Sequence, residues 1–189
     1  HPERTRSDET LNFKQKLFHL SQRAVANKGY LEAVTWSFTD SSIDKQFAQG
    51  KKLIEITNPI ASDLNVLRRS IFSNLMICLK KNQDRGYIDL SLFEIGPIFF
   101  GNKPGDQQIV LGGLKSGVTN RKNWDSKPRN IDIFDVKADA IKTLTELGIK
   151  EEELHVSNKT QDYYNPGRSG SINLKTENGS DLAFFWRNT

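Results

Sequence analysis

The chain has 189 residues, of which 36% are hydrophobic and 26% are charged, and its formal net charge is +4. This length suffices for one sizeable core but not for two comfortable domains, so we expect a single globular domain. The basic residues are spread along the sequence, so the charge favours a solvated basic surface over a nucleic-acid partner. The sequence has neither an apolar run of membrane-spanning length nor a signal-peptide pattern, which favours a cytoplasmic protein without a membrane partner.

Apolar periodicity and turn residues predict helices that alternate with strands. In chain order we predict helices at 11–28, 70–82 and 136–147, and strands at 30–38, 53–57, 87–100, 108–116, 131–135, 154–157, 171–175 and 182–186. The loop from Gly101 to Gly105 suits a hairpin turn between the two longest strands. Since strands with hairpin-length connections outnumber the helices, we predict an α+β domain with a largely antiparallel sheet and helices packed on it.

Side chains that could carry chemistry are few and scattered. The three histidines, His1, His19 and His155, have no carboxylate or cysteine at metal-ligand spacing. Cys78 lies among apolar residues of the second predicted helix and is interpreted as a small core residue. The stretch 167–170 (GRSG) lacks the glycine that a nucleophile elbow places two positions after its serine. We therefore predict no catalytic, cofactor-binding or metal-binding residue in this chain.

Five segments in order carry more information than any single residue. They read "FKQKLFHLSQRAVANKGYLEAVTWSF", "NPIASDLNVLRRSIFSNLMICLKKN", "DLSLFEIGPIFF", "IDIFDVKADA" and "YYNPGRSGSI". From about Leu11 to Phe185, this succession resembles the core domain of the bacterial phenylalanyl-tRNA synthetase beta subunit, in the order and at the spacings of that family. The resemblance implies a class II aminoacyl-tRNA synthetase-like fold, which is an antiparallel β-sheet flanked by helices.

The resemblance also implies where the subunit interface lies. The first motif of a class II enzyme is a long helix that runs into a strand at a glycine and builds the interface. Residues 11–38 resemble this unit with Gly29 at the junction, although the proline expected near Trp36 is missing. The apolar stripe of this helix is wider than one sheet face requires, so it either contacts a partner or is ordinary exposed apolar area. Given the resemblance, we expect an interface formed by Phe13, Leu17, Phe18, Leu20, Ala24, Val25 and Gly29.

The second and third motifs of class II enzymes supply arginines that clamp ATP. Arg68 and Arg69 fall roughly where the second motif begins, but Ile71 stands in the place of its acidic residue. After the strand sequence "FEIG" comes Pro97 in place of an arginine, and no glycine-rich strand leads to an arginine-bearing helix. We therefore prefer a structural role for the arginine pair, bonding neighbouring carboxylates or carbonyls, over ATP binding.

The resemblance divides the chain into three parts. Residues 1–10 are expected to be a linker from a preceding domain, and 11–185 the core domain. Residues 186–189 are expected to be an out-of-frame or truncated end, since the family continues this strand into Gly-Glu-(Ile/Leu)-His-Pro. One extra T in the run that encodes Phe184 and Phe185 turns the codons of that continuation into the present Trp-Arg-Asn-Thr.

The implied function is that of a non-catalytic structural module of the phenylalanine–tRNA ligase beta subunit. It is expected to pack against the catalytic alpha subunit, in a dimer of alpha-beta dimers, and to support aminoacylation of tRNA(Phe). ATP and magnesium are expected to be used by the holoenzyme and not held by this chain. The alternative is a free-standing nucleic-acid or small-molecule binding protein that reuses the same fold.

Overall fold

The computed structural model describes residues 10–119, 124, 127–165, 167–175 and 181–186. The α-helices among them are α1 (Phe13–Ala26), α2 (Ser41–Asp44), α3 (Phe72–Gln83) and α4 (Ile133–Glu146). The strands are β1 (Leu31–Glu32), β2 (Phe38–Thr39), β3 (Ile54–Glu55), β4 (Val66–Leu67), β5 (Leu90–Phe99), β6 (Gln107–Ser116), β7 (Leu154–Ser157), β8 (Ser169–Leu174) and β9 (Asp181–Trp186). None of the helices described is long and apolar enough to cross a membrane.

The described strands form three sheets of three strands each, in the orders β1-β5-β6, β2-β4-β3 and β7-β8-β9. Neighbouring strands are antiparallel in every pair except β1 and β5, which run parallel. With helices packed on these sheets, the predicted α+β class is confirmed.

The β5–β6 hairpin forms two of the three strands of the first sheet, with β5 at its centre, and confirms the predicted pair of long strands. The register is regular from the pair Leu90 and Ser116 to the pair Phe99 and Gln107. Alternate residues of β5 face opposite sides of the sheet. Leu92 packs on one side in a cluster with residues of α3, and Phe93 packs on the other with residues of α1 and the segment that follows it.

The α3 face that covers this hairpin is the stripe predicted from helical spacing. Ile71 and Leu75 are buried with Leu92, and Cys78 and Leu79 are partly buried against them. The interpretation of Cys78 as a small core residue is therefore confirmed.

The β7–β8–β9 sheet has its own core, and α4 covers it. Leu154, Ile172 and Phe185 are buried at its centre. The apolar side chains of α4 that pack against this centre are Ile133, Val136, Ala140, Ile141 and Leu144. The helix ends before Gly148, whose φ of 98° lies in the left-handed region that glycine adopts readily, as the sequence predicted.

The predicted strand at 131–135 is wrong, because α4 already begins at Ile133. The Asp132 carboxylate accepts hydrogen bonds from the backbone N–H groups of Phe134 and Asp135 at 2.8 and 3.2 Å. In return, the Asp135 carboxylate accepts the N–H of Asp132 at 2.9 Å. This reciprocal capping box satisfies backbone donors that a helix start leaves unpaired. Ile131 and Ile133 are β-branched and suit a strand, but the capping box decides the structure.

The predicted strand at 30–38 is wrong over most of its length. Only β1 and β2, with two residues each, are strands, and they lie in different sheets. The alternation predicted a common face for Tyr30, Val34 and Trp36, but Tyr30 is buried while Val34 and Trp36 are 90% and 66% exposed. The chain leaves β5 after Ala33, whose N–H donates to the Phe93 carbonyl at 2.7 Å.

The residues that the predictions for the two ends of the chain concern lie mostly outside the described residues. Of the expected linker, residues 1–10, only Thr10 is described, and of the expected end, 186–189, only Trp186 is described. Trp186 is the last residue of β9 and is paired with Ser169 of β8. The three-part division of the chain stays a prediction.

Candidate functional site

The first helix projects part of its apolar stripe beyond the domain. Asn12 caps it through a reciprocal pair of hydrogen bonds with Gln15, each 2.9 Å long. At its C-terminal end the helix is anchored, because Ser21, Ala24 and Val25 are buried. The N-terminal half carries the same stripe outward, where Phe13, Leu17 and Leu20 remain exposed to different degrees.

The predicted interface residues therefore divide into two groups. Phe13 is 76% exposed, and Leu17 and Leu20 are 37% and 36% exposed on the same side of the helix. Ala24 and Val25 are buried inside the domain, Phe18 is half-buried, and Gly29 is exposed with a φ of 83°. An interface built on α1 thus uses Phe13, Leu17 and Leu20 directly, while Ala24 and Val25 hold the helix on its own domain.

Leu17 also lines a cleft of about 740 Å³ between α1, α4, the β5–β6 hairpin and the third sheet. Ile109 and Leu111 of β6 line it as well and remain 57% and 39% exposed. Asp139 of α4 also lines the cleft. Its carboxylate already accepts hydrogen bonds from the Tyr30 hydroxyl at 2.9 Å and from Lys115 Nζ at 2.5 Å. Most of the accessible surface that lines the cleft is apolar, although polar side chains such as Arg69 and Gln108 also line it.

The two arginines predicted to be structural are bonded as the sequence suggested. Arg68 Nη1 donates to Glu94 Oε1 at 2.7 Å and to Thr35 Oγ1 at 2.9 Å, and Arg68 Nε donates to the Pro97 carbonyl at 2.9 Å. The Thr35 hydroxyl in turn donates to Glu94 Oε2 at 2.7 Å. Arg68 is 1% exposed, so its guanidinium is enclosed by protein groups.

Arg69 connects α2 to the start of α3. Its backbone N–H donates to both Asp44 carboxylate oxygens at 3.1 Å, and its guanidinium donates to the Lys52 carbonyl. Ser73 Oγ donates to Asp44 at 2.8 Å. Burial raises the pKa of Asp44, while the hydrogen bonds from Ser73 and Arg69 oppose that rise. The predicted bonding of both arginines to carboxylates and carbonyls is confirmed.

Sequence reasoning did not single out Thr35, Asp44, Glu94 or Asp139. For Glu94 a signal was present, since it is a single charge inside the apolar strand sequence "LFEIGPIFF". A carboxylate in a buried strand requires a partner, and the arginines before α3 are the candidates. The other three side chains gave no such signal, because their partners lie far away in the sequence.

Among the described residues, no group of three or more histidine, cysteine, aspartate or glutamate side chains is arranged to hold a metal ion. His19 Nδ1 lies 3.0 Å from Gln22 Oε1 on the outside of α1, and His155 is exposed in β7. His1 is outside the described residues.

This arrangement of helices on antiparallel strands is the fold of the class II aminoacyl-tRNA synthetases. Two solved structures of pyrrolysyl-tRNA synthetase from Desulfitobacterium hafniense are similar to it, with TM-scores of 0.58 and 0.59 at 13% sequence identity. The similarity covers 85% and 87% of this chain and 54% and 56% of those chains.

The sequence comparisons are more specific than the fold. The family model described as the phenylalanyl tRNA synthetase beta chain CLM domain matches residues 1–185, and the chain belongs to this family. The phenylalanine–tRNA ligase beta subunit of Rhodospirillum rubrum is 41% identical over 153 residues, covering 81% of this chain and 19% of that protein. The one from Bartonella quintana is 35% identical over 170 residues, covering 88% of this chain and 21% of that protein. The chain thus spans about a fifth of the length of the curated relatives it matches.

Proposed function

We propose that this domain is a non-catalytic structural core of the beta subunit of a phenylalanine–tRNA ligase, and that α1 packs against the catalytic alpha subunit. The observation that carries this proposal is the line of exposed apolar side chains at Phe13, Leu17 and Leu20 on a helix that is capped and anchored. Exposed apolar groups in a continuous line on an ordered helix are typical of a protein–protein interface.

The bonding of Arg68 supports a non-catalytic role. An arginine that clamps a polyphosphate must offer its donors to the ligand. Arg68 instead gives its donors to Glu94, Thr35 and Pro97 inside the protein. This bonding supports a structural role for Arg68, and we assign ATP and magnesium to the alpha subunit of the holoenzyme.

In the whole assembly, we infer that residues 11–185 hold the alpha subunit in a dimer of alpha-beta dimers. Other parts of the longer subunit would then be placed around tRNA(Phe). This role is structural, and we place it in the cytoplasm, where tRNA is aminoacylated.

The interface is tested by co-expressing the chain with the alpha subunit and measuring complex formation by gel filtration. We expect a stable complex, and we expect Phe13→Gln combined with Leu17→Gln to weaken it. Each lost apolar side chain costs about 1.5–3 kcal/mol if it is fully buried at the interface, so the double variant should bind at least roughly tenfold more weakly. Lys14→Gln, on the same turn of the helix, is the matched control and should leave the complex intact.

Two results would contradict the proposal. A monomeric chain that ignores the alpha subunit but retains tRNA supports the free-standing binding protein instead. Phenylalanine-dependent ATP–pyrophosphate exchange by the purified chain contradicts the non-catalytic role.

A further inference from the structure

The spacing of the apolar line on α1 favours a helix as its partner. Phe13, Leu17, Leu20 and Ala24 follow one another at steps of four, three and four residues. Such steps place side chains along the seam of a contact between two helices, where each side chain inserts between residues of the facing helix. We therefore expect the segment that covers Phe13, Leu17 and Leu20 to be helical where it meets α1.

A row of basic side chains borders this line on the side that faces away from the domain. On the domain side lie Ser21 and Val25, which are buried. On the other side lie Lys16 and Arg23, which are exposed and seven residues apart, so they share one edge of the helix. Lys16 is four residues before Leu20 and Arg23 is three residues after it, so both are its neighbours on the helix surface. Whatever covers Leu20 therefore lies next to both positive charges.

The N-terminal turn of α1 carries charge of the sign that a helix start disfavours. Residues 10–28 contain no aspartate or glutamate, and the charged residues of the first turn, Lys14 and Lys16, are both basic. The N-terminus of a helix has a partial positive charge, so carboxylates stabilise it and ammonium groups oppose it. A partner that brings carboxylates to this turn offsets that local cost.

The domain already pairs charges in this way where its own helix packs on α1. Helix α4 contacts α1, and Glu146 near the end of α4 pairs with Lys28 just beyond α1, with the charged atoms 2.9 Å apart. The Lys28 side chain is only 8% exposed in this contact. A basic residue beside α1 is thus matched by a carboxylate from the helix that covers it.

We propose that the segment that covers Phe13, Leu17 and Leu20 is an amphipathic helix of the alpha subunit that carries aspartate or glutamate along the edge facing Lys16 and Arg23. The apolar face of that helix packs on the line, and its carboxylates pair with the two basic residues. This inference rests on the proposed function, because it specifies the chemistry of the surface that α1 meets.

A second copy of α1 fits this surface less well. Every charged residue of α1 is basic, so two copies packed along their apolar lines bring like charges together. Like charges that face each other across an interface reduce affinity and suppress the wrong partner. An acidic helix gains from the same arrangement.

RNA is also anionic, but it does not fit the apolar line. Phosphates are bound by charged and hydrogen-bonding groups. Phe13 and Leu20 belong to the same surface as Lys16 and offer neither, so a bound phosphate backbone would leave them exposed. A protein helix covers the apolar and the basic side chains together.

The test is the affinity of the full-length beta subunit for the alpha subunit, purified separately and titrated by calorimetry at about 50 mM and about 500 mM NaCl. Lys16→Glu combined with Arg23→Glu should weaken binding about tenfold or more at the lower salt concentration, because two attractions become repulsions. The loss should shrink to about threefold or less at the higher concentration, where salt screens surface charges.

The matched control is Lys81→Glu combined with Lys103→Glu. These two lysines are exposed and lie outside α1, so the pair of substitutions makes the same change in net charge. Binding should stay within about twofold of that of the unmodified subunit at both salt concentrations. A control that loses as much affinity as the α1 variant would mean that net charge alone acts, which overturns the proposal.

Carbodiimide cross-linking of the unmodified complex gives a second readout. The reagent joins an amine to a carboxylate that touches it, and mass spectrometry locates the link. We expect Lys16 to be joined to an aspartate or glutamate in a helical segment of the alpha subunit. A link from Lys16 to a second beta subunit, or a complex in which Lys16 is not linked to the alpha subunit, overturns the proposal.

Failure of this inference is distinguishable from failure of the proposed function. A complex that is weakened by Phe13→Gln with Leu17→Gln, but is unchanged by reversal of Lys16 and Arg23, keeps the proposed function and overturns this inference. Unmodified subunits that do not associate overturn both.

Two further outcomes are decisive. A reversal that releases tRNA(Phe) but leaves the complex of subunits intact means that the basic row binds nucleic acid, which overturns the proposal. If the reversal variant does not fold, Lys16→Gln combined with Arg23→Gln removes both charges without adding new ones. That variant should bind about threefold more weakly at the lower salt concentration, and an unchanged affinity overturns the proposal.

Discussion

Arg68 and Glu94 form a buried ion pair, with Nη1 and Oε1 2.7 Å apart and side chains that are only 1% and 4% exposed. The pair connects the segment before α3 to the central strand β5. Thr35 joins it through hydrogen bonds to both partners, so the chain that leaves β1 is held at the same point. One charged cluster thus fixes three segments that are distant in the sequence.

Glu94→Gln should destabilise the domain strongly, because it leaves the Arg68 guanidinium buried without a counter-charge. Breaking one partner of a buried pair typically costs about 3–5 kcal/mol. Urea unfolding followed by circular dichroism measures the loss. Glu55→Gln, the same change at an exposed strand residue, is the control and should stay within about 0.5 kcal/mol of the unmodified chain.

Replacing both partners of the pair should cost less than replacing one. In the double variant Arg68→Met, Glu94→Met no unpaired charge remains in the core, and the apolar side chains fill similar volumes. Equal destabilisation by Glu94→Gln alone and by the double variant would show that lost hydrogen bonds, and not the unpaired charge, dominate the cost.

Gly96→Ala should destabilise the domain through the same pair. An added Cβ at Gly96 would lie 2.4 Å from Arg68 Nη2, so the guanidinium must move away from Glu94. Overpacking of this kind costs about 1–3 kcal/mol. The same substitution in an Arg68→Met background should cost clearly less, and a double-mutant cycle measures the difference. If Gly96→Ala costs as much free energy of unfolding in the Arg68→Met background, the strain does not come from contact with Arg68.

The capping of α4 should make stability depend on pH in the acid range. The hydrogen bonds from Arg129, at 2.6 and 2.7 Å, lower the pKa of Asp135 from 3.8 to about 2. Because this pKa is lower in the folded state than in the unfolded state, the stabilisation is fully present above pH 3.8 and is lost as the pH falls through about 2.

Asp135→Asn should therefore cost about 1 kcal/mol near neutral pH, the usual value of a helix-capping side chain. The difference from the unmodified chain should shrink steadily between pH 4 and pH 2 in denaturant titrations. Asp63→Asn, at an exposed position, is the control and should show no comparable trend. A difference that is constant over this range would mean that the carboxylate charge of Asp135 does not contribute.

Tyr30→Phe should loosen the attachment of α4 to the first sheet. The Tyr30 hydroxyl donates to Asp139 at 2.9 Å, and burial together with the Asp139 carboxylate raises the pKa of Tyr30. The ring still contacts the Lys115 ammonium, which lies 4.9 Å from its centroid, so only the hydrogen bond is lost. We expect a loss of about 1–2 kcal/mol in the free energy of unfolding. Tyr87→Phe, at a 60% exposed position, is the control.

Long periodic segments could be predicted from the sequence because their signals are local. The stripe of α3, the β5–β6 hairpin and the glycine after α4 follow from spacing and turn residues, and all three are present. The start of α4 was missed because the capping box of Asp132 and Asp135, which places it at Ile133, was not recognised. The exposed Val34 and Trp36 were missed because alternation alone does not show which face, if any, is covered.

The site was predictable only in part. The sequence indicated a structural arginine pair and an apolar first helix, whereas the need of Glu94 for a partner was not predicted. It could not show that Thr35 and Pro97 complete the cluster, because these contacts depend on where β1, β5 and the segment before α3 meet.

By itself the sequence determined the family, the class of the fold and most of its helices and long strands, because residue order and periodicity are properties of the chain alone. The tertiary structure decided which part of the α1 stripe is buried and which is left for a partner. It also decided that Arg68 is enclosed by protein groups. Burial and pairing of this kind depend on distances between remote segments, and packing of the whole domain sets those distances.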